Sequence, residues 1–497
     1  MRVRSLEQLT ADGDLASFAS ALERVRSLPH ASDPSVAGFL AADRAVAIAR
    51  APGRLDVMGG IADYSGSLVL EMPLACATVA VAQAQDARRL DVLSLRDGDR
   101  PFRFGIDLAE IMTGASSTPE ALADRFARDA ADRWAAYVVG SVFRCLTSNG
   151  LVPAHGLRLL ITSDVPEGKG VSSSAALEVA TMASAAACYG LDMEGVELAT
   201  ACQWAENHIA RAPCGIMDQM TSALGRHGRL LRLRCQPASV EGHVAVPEGY
   251  RFYGIDSGIR HAVSASDYGT VRTAAFMGYR MIADLAGLTA TSDGDRVHVQ
   301  DVRWGGYLAN ITPTELASDF ADWLPNRMRG AEFLARYGGI TDTVTRVNPD
   351  VWYPVRQATS HPVYENARVT RFGDLLSTGL EHSDAAVSMG ALMFRSHASY
   401  SACGLGSDGT DRLVDLVAEM EPAQGLFGAK ITGGGSGGTV AVFGTESARH
   451  AVHRIARQYE QETGVRAHVF DGSGPGAEET GIIIGRIDAG TANGAGH

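Results

Sequence analysis

The 497-residue sequence lacks paired cysteines, long apolar runs and an excess of basic residues. Its seven cysteines are scattered without a CxxC pair, which predicts reduced thiols rather than a disulfide framework or a zinc site. No apolar run reaches the length needed to cross a membrane, and the N-terminus has no apolar core typical of a signal peptide. These absences predict a cytoplasmic protein with no membrane partner.

The charge balance is acidic, with a formal net charge of -13. This balance argues against a general nucleic-acid binder, because such a protein needs a basic surface for the phosphate backbone. A small anionic ligand remains compatible with it, since backbone amides at a helix N-terminus bind phosphate locally. The chain is also long enough for two domains with sizeable cores.

Apolar periodicity and glycine positions divide the chain into four parts. Residues 1–44 predict a helical extension, with one helix over 14–28. Strands and helices then mix without regular alternation, which predicts an α+β fold with two lobes. We expect an N-terminal lobe over 45–256, a C-terminal lobe over 257–490 and a disordered tail over 491–497.

Two local patterns surround the stretches that contain the candidate functional residues. The stretch 121–150 predicts one long helix, and 155–165 predicts a strand that leads into a glycine- and serine-rich loop. The stretch 290–362 shows no clear pattern, and either a role on the substrate side or a subunit contact is compatible with it.

That loop and the start of the next helix read "GKGVSSSAALEVA". Glycine lets the backbone approach a ligand closely, and serine favours the N-cap of a helix. A helix N-terminus offers unpaired N–H groups and a partial positive charge, so the pattern indicates an anion site suited to phosphates. A capped helix with no ligand fits this stretch equally well. The segment, called the phosphate loop below, comprises Gly168, Lys169, Gly170, Val171, Ser172, Ser173 and Ser174.

Three further glycine-containing stretches accompany the phosphate loop. "APGRLDVMGGIADYSG" spans 51–66, "ENHIARAPCGIMDQM" spans 206–220 and "GAKITGGGSGGTVAVFG" spans 428–444. The last contains G-x-G-x-x-G, but a β-branched strand follows it instead of a helix, so the context of a dinucleotide-binding fold is missing. In this order the motifs resemble those of the GHMP small-molecule kinases, most of all the galactokinase branch with its L-arabinokinases.

The resemblance covers roughly residues 45 to 485 and carries implications for fold and activity. It implies the two-lobed GHMP kinase fold, with a ribosomal-protein-S5-like N-terminal lobe, a ferredoxin-like C-terminal lobe and the active site between them. It also implies phosphoryl transfer from ATP, with Mg²⁺, to the anomeric hydroxyl of a sugar. Such a reaction needs positioning and charge neutralisation more than covalent help from the protein.

The resemblance also implies residue roles. Asp218 lies beside the anomeric hydroxyl as base or electrostatic orienter, and Arg54 holds it ionised and offsets charge on the phosphoryl group. Ser173 and Glu206 match the magnesium ligands of the family. The residues that match sugar contacts are Asp63, Gly60, Ile61, Gly215 and Tyr268. The residues that match nucleotide contacts are those of the phosphate loop, Gly434 and Gly435, and the aromatic pair Trp134 and Tyr137, although aromatic residues at this spacing also suit a helix core.

The sugar is suggested by a departure from the galactokinase pattern at Gly60 and Ile61, where galactokinases carry Glu-His. In that family the Glu contacts the exocyclic hydroxymethyl group, whereas the ring hydroxyls are contacted by the residue matching Asp63. L-Arabinose has the ring configuration of D-galactose without that hydroxymethyl group. The pair therefore predicts an L-arabinose kinase that forms β-L-arabinose 1-phosphate.

Two other functions are compatible with the same motifs. One is an ordinary galactokinase in which Gly60 and Ile61 reflect local repacking. A buried galactose hydroxyl without a partner costs only about 1–3 kcal/mol, so galactose remains a poor substrate in the arabinokinase interpretation as well. The other is a non-catalytic sugar and ATP sensor, which the intact serines of the phosphate loop and Asp218 disfavour.

Overall fold

The computed structural model describes residues 3–4, 23, 34–95, 101–112, 118–259, 264–294, 296–379 and 383–486. The strands are β1 (Val3–Arg4), β2 (Ala45–Met58), β3 (Leu68–Gln85), β4 (Arg89–Leu95), β5 (Phe102–Asp107), β6 (Gly156–Ser163), β7 (Arg229–Arg234), β8 (Ser239–Ala245), β9 (Tyr250–Asp256), β10 (Ala290–Asp293), β11 (Arg296–Val299), β12 (Met328–Arg329), β13 (Trp352–Tyr353), β14 (Leu426–Ile431), β15 (Thr439–Thr445), β16 (Val469–Asp471) and β17 (Ile482–Arg486). The α-helices are Pro34–Ala37, Leu108–Met112, Pro119–Arg128, Ala135–Ser148, Ser173–Cys188, Gly195–Ala205, Met217–Leu224, Ser264–Leu285, Pro313–Glu315, Gly330–Tyr337, Val355–Ser377, Ser383–Ala402, Asp408–Ala418, Arg449–Thr463 and Ala477–Thr480.

The first sheet has nine strands in the order β1-β17-β2-β3-β6-β4-β5, with β7 paired to β3 and β8 paired to β7. β2 and β3 are long antiparallel partners, and the register of β2 shifts between Pro52 and Arg54 and again between Asp56 and Met58. Such irregularities re-aim side chains locally. They occur where this strand carries the charged residues of the 51–66 motif.

The second sheet has four antiparallel strands in the order β14-β15-β9-β16. Helices Asp408–Ala418 and Arg449–Thr463 pack on one face and share a buried apolar cluster with it. Helices Val355–Ser377 and Ser383–Ala402 contribute to a second cluster that also contains residues of β2 and β3. This second cluster also contains residues of β9, β15 and β16, so the two sheets share it. The mixed helix and strand content of the chain confirms the predicted α+β class.

The sheets divide the chain differently from the expected lobe boundaries. β9, which the expected boundary at 256 puts in the N-terminal lobe, pairs with strands of the second sheet. β17, expected in the C-terminal lobe, returns to the first sheet and pairs with β2. The helix expected over 14–28 and the tail over 491–497 lie outside the described residues, apart from Glu23.

One helix prediction was wrong. The stretch 121–150 forms two helices, because the first ends at Arg128 and the second begins at Ala135. Asp129 has extended backbone geometry, and its carboxylate accepts a hydrogen bond from the amide of Ala131 at 2.9 Å. An aspartate that binds nearby backbone in this way competes with helix continuation.

The stretch 290–362 contains the short hairpin β10–β11 and a second antiparallel strand pair, β12–β13, with helix Gly330–Tyr337 in the connection between β12 and β13. Short helical turns lie between β11 and β12. Its apolar residues share a core with helices Ser264–Leu285 and Val355–Ser377. Among the described residues, helices of the length and apolarity required to cross a membrane were not found.

Candidate active site

The phosphate loop connects β6 to helix Ser173–Cys188. Gly168 and Gly170 both have φ of 70°, and Ser172 has φ of 59°, a left-handed conformation that is strained for a residue with a side chain. Ser172 precedes the helix without a side-chain cap, and its buried hydroxyl has no hydrogen-bond partner. The helix therefore begins with an uncapped N-terminus beside an unsatisfied hydroxyl, which leaves N–H and O–H donors available to an anion.

A second glycine segment, residues 432–438, lies directly against the phosphate loop and is called the glycine loop below. A Cβ on Gly433 would come within 2.8 Å of the carbonyl oxygen of Gly170, and one on Gly438 within 2.8 Å of that of Lys169. Glycine is required at both positions because they also have positive φ, 68° and 78°. The two loops thus come from different sheets and meet backbone to backbone.

Lys169 links the same two regions. Its ammonium lies 2.7 Å from a carboxylate oxygen of Asp256 at the end of β9, and its carbonyl oxygen accepts a hydrogen bond from the hydroxyl of Thr439 at 2.8 Å. The side chain predicted to contact phosphate is therefore paired with a carboxylate in this structure.

Arg54 and Asp218 form the central ion pair of the site. The Nε and Nη2 atoms of Arg54 lie 2.9 and 2.7 Å from Oδ1 of Asp218, and Nη1 donates to the carbonyl oxygen of Gly170 at 2.9 Å. Arg54 is buried, whereas the side chain of Asp218 is 22% exposed, so the carboxylate is the member of the pair that a substrate can reach. The guanidinium thereby connects the predicted catalytic carboxylate directly to the phosphate loop.

A second carboxylate, that of Glu71, also lies beside the guanidinium of Arg54. Glu71 is fully buried on β3, with Oε2 3.3 Å from Nε of Arg54 and no hydrogen bond to either oxygen. Burial and the nearby charge of Asp56 raise the pKa of Glu71 well above its usual value. Burial alone would lower the pKa of Arg54, but Asp218 and Glu71 outweigh it and raise that pKa, which keeps the guanidinium charged.

The predicted sugar-contacting residues lie around Asp63. Its carboxylate accepts a hydrogen bond from the amide of Tyr64 at 2.8 Å, and the amide of Met217 lies 3.5 Å from Oδ2. A Cβ on Gly215 would come within 1.7 Å of this carboxylate, so only glycine lets the Asp218 segment approach it. Burial and the charge of Asp218 raise the pKa of Asp63 to about 7.

Tyr268 closes this group on the side of the glycine loop. Its ring meets that of Tyr64 edge-on, with centroids 5.8 Å apart, and a Cβ on Gly434 would lie 3.5 Å from it. Behind Tyr64, Arg272 is held by two hydrogen bonds of 2.8 Å to the Asp342 carboxylate. Asp342 belongs to the stretch 290–362, so this stretch holds Arg272 against Tyr64, the residue next to Asp63.

Gly60 and Ile61 are buried and do not line open space. They begin the 3₁₀ helix Gly60–Ser65, in which Gly60 has φ of 37°. The amide of Ile61 donates to the hydroxyl of Tyr400 at 2.8 Å, and a Cβ on Gly60 would lie only 1.3 Å from that oxygen. Tyr400 belongs to helix Ser383–Ala402, so a residue 340 positions away in sequence dictates glycine here.

Glu206 lies in a buried group of polar side chains. It is 6% exposed, and its Oε2 accepts a hydrogen bond from Nε2 of Gln219 at 2.6 Å, while the same nitrogen donates to Glu178 at 3.1 Å. Burial and the charge of Asp218 raise the pKa of Glu206 to about 7, and a hydrogen bond with Ser174 opposes the rise. The contact thus ties Glu206 to the start of the phosphate-loop helix through Ser174, next to the predicted ligand Ser173.

The aromatic pair separates into two environments. Trp134 precedes helix Ala135–Ser148 and packs against the apolar cluster that this helix forms with strands of the first sheet. Its ring contacts that of Phe102 at a centroid distance of 5.9 Å. Tyr137 is buried near Glu206 and Glu178. Its burial and the charges of these two residues raise the pKa of its hydroxyl. The role of this pair at a nucleotide base therefore stays a prediction.

Two family models and several relatives match the chain. The model for the GHMP kinases N terminal domain matches residues 136–226, and the model for GHMP kinases C terminal matches residues 382–461. A galactokinase from Chloroflexus aggregans is 32% identical over 84% of this chain and 89% of its own length. The chain belongs to the GHMP kinase family. An L-arabinokinase from Arabidopsis thaliana is 42% identical over 88% of this chain, but the chain spans only 46% of that protein.

A solved structure supports the family fold. The galactokinase of Lactococcus lactis complexed with galactose superimposes with a TM-score of 0.65 at 20% identity, covering 93% of this chain and all of that one. The predicted GHMP kinase fold is thereby confirmed, as is the resemblance to the galactokinase and L-arabinokinase branch. Membership in this kinase family also implies the use of ATP.

The sequence interpretation missed several buried charges beside the site. They are Glu71, Glu178, Arg272, Asp342 and Lys430. A signal was available for two of them, since Glu71 interrupts the apolar run of β3 and Lys430 interrupts that of β14. A charged residue inside an apolar strand indicates a buried partner, although the strand pattern alone does not identify that partner.

Proposed function

We propose that this chain is a sugar 1-kinase that transfers the γ-phosphoryl group of ATP to the anomeric hydroxyl of L-arabinose, giving β-L-arabinose 1-phosphate and ADP. The observation that carries the proposal is Arg54, which binds the catalytic carboxylate candidate Asp218 and the carbonyl oxygen of Gly170 at once. The acceptor hydroxyl and the phosphoryl group would therefore meet at one charged side chain.

The chain's own residues account for most of the chemistry. Asp218 would act as the orienter of the anomeric hydroxyl or as the base that takes its proton, as the new O–P bond forms and the bond to ADP breaks. Arg54 offsets negative charge on the transferring group, because the buried guanidinium stays protonated. Asp63 would accept hydrogen bonds from ring hydroxyls, which orients the sugar.

The residues also fit a magnesium ion. The described residues contain no group of three or more His, Cys, Asp or Glu side chains that could hold a metal. Ser173 and Glu206 would supply two oxygen ligands, which suits Mg²⁺ because it keeps water and phosphate oxygens in its shell. The ion would neutralise phosphate charge when bound, and the unpartnered hydroxyl of Ser172 marks the adjoining loop as built for a ligand.

Replacing Glu206 with glutamine tests the metal assignment. We expect the Mg²⁺ concentration for half-maximal rate, at fixed ATP, to rise by about tenfold, because a neutral amide binds a hard cation weakly. The matched control is Glu197→Gln, an exposed residue on the adjoining helix. A magnesium titration that is the same in both variants would remove Glu206 from the metal site.

L-Arabinose is the proposed sugar for two reasons. The L-arabinokinase is the relative with higher identity of the two described above, and the Gly60–Ile61 pair offers no polar side chain for a hydroxymethyl group. D-Galactose is the second candidate, supported by the galactokinase relatives, whose lengths the chain covers almost completely.

ADP release from MgATP with L-arabinose, D-galactose, D-xylose and D-glucuronate separates these candidates. We expect the highest kcat/KM for L-arabinose and a value for D-galactose lower by about 5- to 150-fold, the equivalent of one unpaired buried hydroxyl. Preference for D-galactose would replace the proposed substrate. Binding of sugar and ATP without ADP release from any sugar would favour a sensor.

A further inference from the structure

The position next to Gly60 is occupied by a side chain from the second half of the chain. A Cβ on Gly60 would lie 1.3 Å from the hydroxyl oxygen of Tyr400 and 2.3 Å from its Cζ. The ring therefore fills the space that the first side-chain atom of any other residue would take. Gly60 has φ of 37°, so this close approach also uses a backbone conformation that favours glycine.

Tyr400 is fixed in this position by contacts on every side. It is fully buried; its hydroxyl accepts from the amide of Ile61 at 2.8 Å and donates to the carbonyl oxygen of Gly433 at 3.1 Å. The ring of His361 meets it edge-on at 5.1 Å, and the ammonium of Lys430 lies 5.3 Å from its centroid. A side chain with satisfied polar contacts and this packing does not move aside readily.

The hydroxyl of Tyr400 joins two segments that would lie beside the reacting groups. Ile61 lies two residues before Asp63 in the same 3₁₀ helix. Gly433 belongs to the glycine loop, and a Cβ there would lie 3.3 Å from a guanidinium nitrogen of Arg54. Tyr400 thus bridges the segment that would orient the sugar ring and the loop beside the phosphoryl group.

We propose that Tyr400 is a specificity-determining residue that closes the sugar pocket beside Gly60, so that the site accepts a pyranose with only hydrogen at C5. The inference rests on the proposed sugar kinase function and names the residue behind its preference. A hydroxymethyl group directed toward Gly60 would meet Tyr400, whose hydroxyl is already hydrogen-bonded to the amide of Ile61 and the carbonyl oxygen of Gly433.

This geometry also changes what a substitution at Gly60 can do. The departure from the galactokinase pattern suggests that Gly60→Glu alone would restore galactose preference. With Tyr400 in place the new side chain would have no room, so this single change should impair folding instead. The informative position is therefore Tyr400 itself.

The test compares three sugars that differ only at C5: L-arabinose with hydrogen, D-fucose with methyl and D-galactose with hydroxymethyl. Wild type, Tyr400→Leu and Tyr400→Phe are assayed for kcat/KM with MgATP and for sugar affinity by calorimetry. We expect Tyr400→Leu to raise the D-fucose to L-arabinose ratio by at least about tenfold, the usual effect of admitting one methyl-sized group. Tyr400→Phe should give a smaller shift in the same direction, because it removes only the hydroxyl.

The matched control is Tyr253→Leu. Tyr253 is equally buried, and its hydroxyl donates to the carbonyl oxygen of Thr445 at 3.0 Å, in the core of the second sheet. A similar loss of stability with unchanged sugar ratios is expected there. A ratio that shifts equally in the control would show a general effect of destabilisation and overturn the proposal.

The remaining outcomes separate the two proposals. If wild type prefers L-arabinose and the ratios stay fixed in the folded Tyr400 variants, only the role of Tyr400 is wrong. If wild type prefers D-galactose, both the proposed substrate and the closed pocket are wrong. If no sugar is phosphorylated but the affinity ratios shift in the Tyr400 variants, the kinase proposal fails and the role of Tyr400 stands. Tyr400→Phe supplies the comparison if Tyr400→Leu does not fold.

Discussion

Asp218→Asn is expected to lower kcat by at least about a thousandfold while the sugar still binds. Loss of a positioned proton acceptor alone lowers a rate by about 10²- to 10⁴-fold. The change also removes the negative partner of Arg54, whose Nη2 lies 2.7 Å from Oδ1 of Asp218, so the guanidinium loses its orientation at the reacting groups. The amide keeps the size of the carboxylate, so the pocket should retain its shape.

Single-turnover ADP formation and calorimetric sugar binding measure this prediction separately. Asp374→Asn, on the exposed face of helix Val355–Ser377, is the matched control and should leave both quantities unchanged. A wild-type rate in Asp218→Asn would remove this residue from the reaction, whether as base or as orienter.

The same variant makes a second measurement possible. Burial first, and the charge of Asp218 second, raise the pKa of Asp63 to about 7. If ionised Asp63 accepts hydrogen bonds from the sugar, affinity should rise as the pH rises through about 7 and this carboxyl loses its proton. In Asp218→Asn the midpoint should move to lower pH, because the repelling charge is gone. Sugar affinity that does not vary between about pH 5 and 9 would contradict the role of Asp63.

The local parts of the site could be predicted from the sequence. The phosphate loop follows a strand and precedes a helix because glycines and serines set that conformation within a few residues. The resemblance also related Arg54 to Asp218, which are 164 positions apart and form the central ion pair. A pairing between such distant residues can be predicted from motifs that follow the order of a known family, whereas composition and periodicity do not predict it.

The features that could not be predicted from the sequence depend on contacts between distant segments. β17 pairs with β2 across the whole chain, and Tyr400 contacts Gly60 and Ile61 from another helix. Neither contact leaves a local period, because each side alone is an ordinary buried residue. For the same reason the glycine at 60 gave no indication that the Tyr400 side chain lies against it.

The pair of Asp56 and Lys430 shows how such a contact can hold the site together. Both side chains are fully buried, and the ammonium lies 2.5 Å from Oδ2 of Asp56. Asp56 also accepts a hydrogen bond from the amide of Gly60 at 3.1 Å, and its own amide donates to the hydroxyl of Thr432 at 2.8 Å. The pair therefore joins β2, the 3₁₀ helix Gly60–Ser65 and the glycine loop at one point.

Lys430→Met is expected to lower the free energy of unfolding by about 3–5 kcal/mol, because it leaves the carboxylate of Asp56 buried without its counter-charge. Asp56→Asn/Lys430→Met should recover part of this loss, since the asparagine is neutral and its oxygen can still accept from Gly60. Arg125→Met breaks a half-exposed ion pair with Glu110 and should cost at most about 1 kcal/mol, which makes it the matched control. Denaturant unfolding measures all three variants. A loss in Lys430→Met no larger than that of the control would mean that the buried pair does not stabilise the junction of the two sheets.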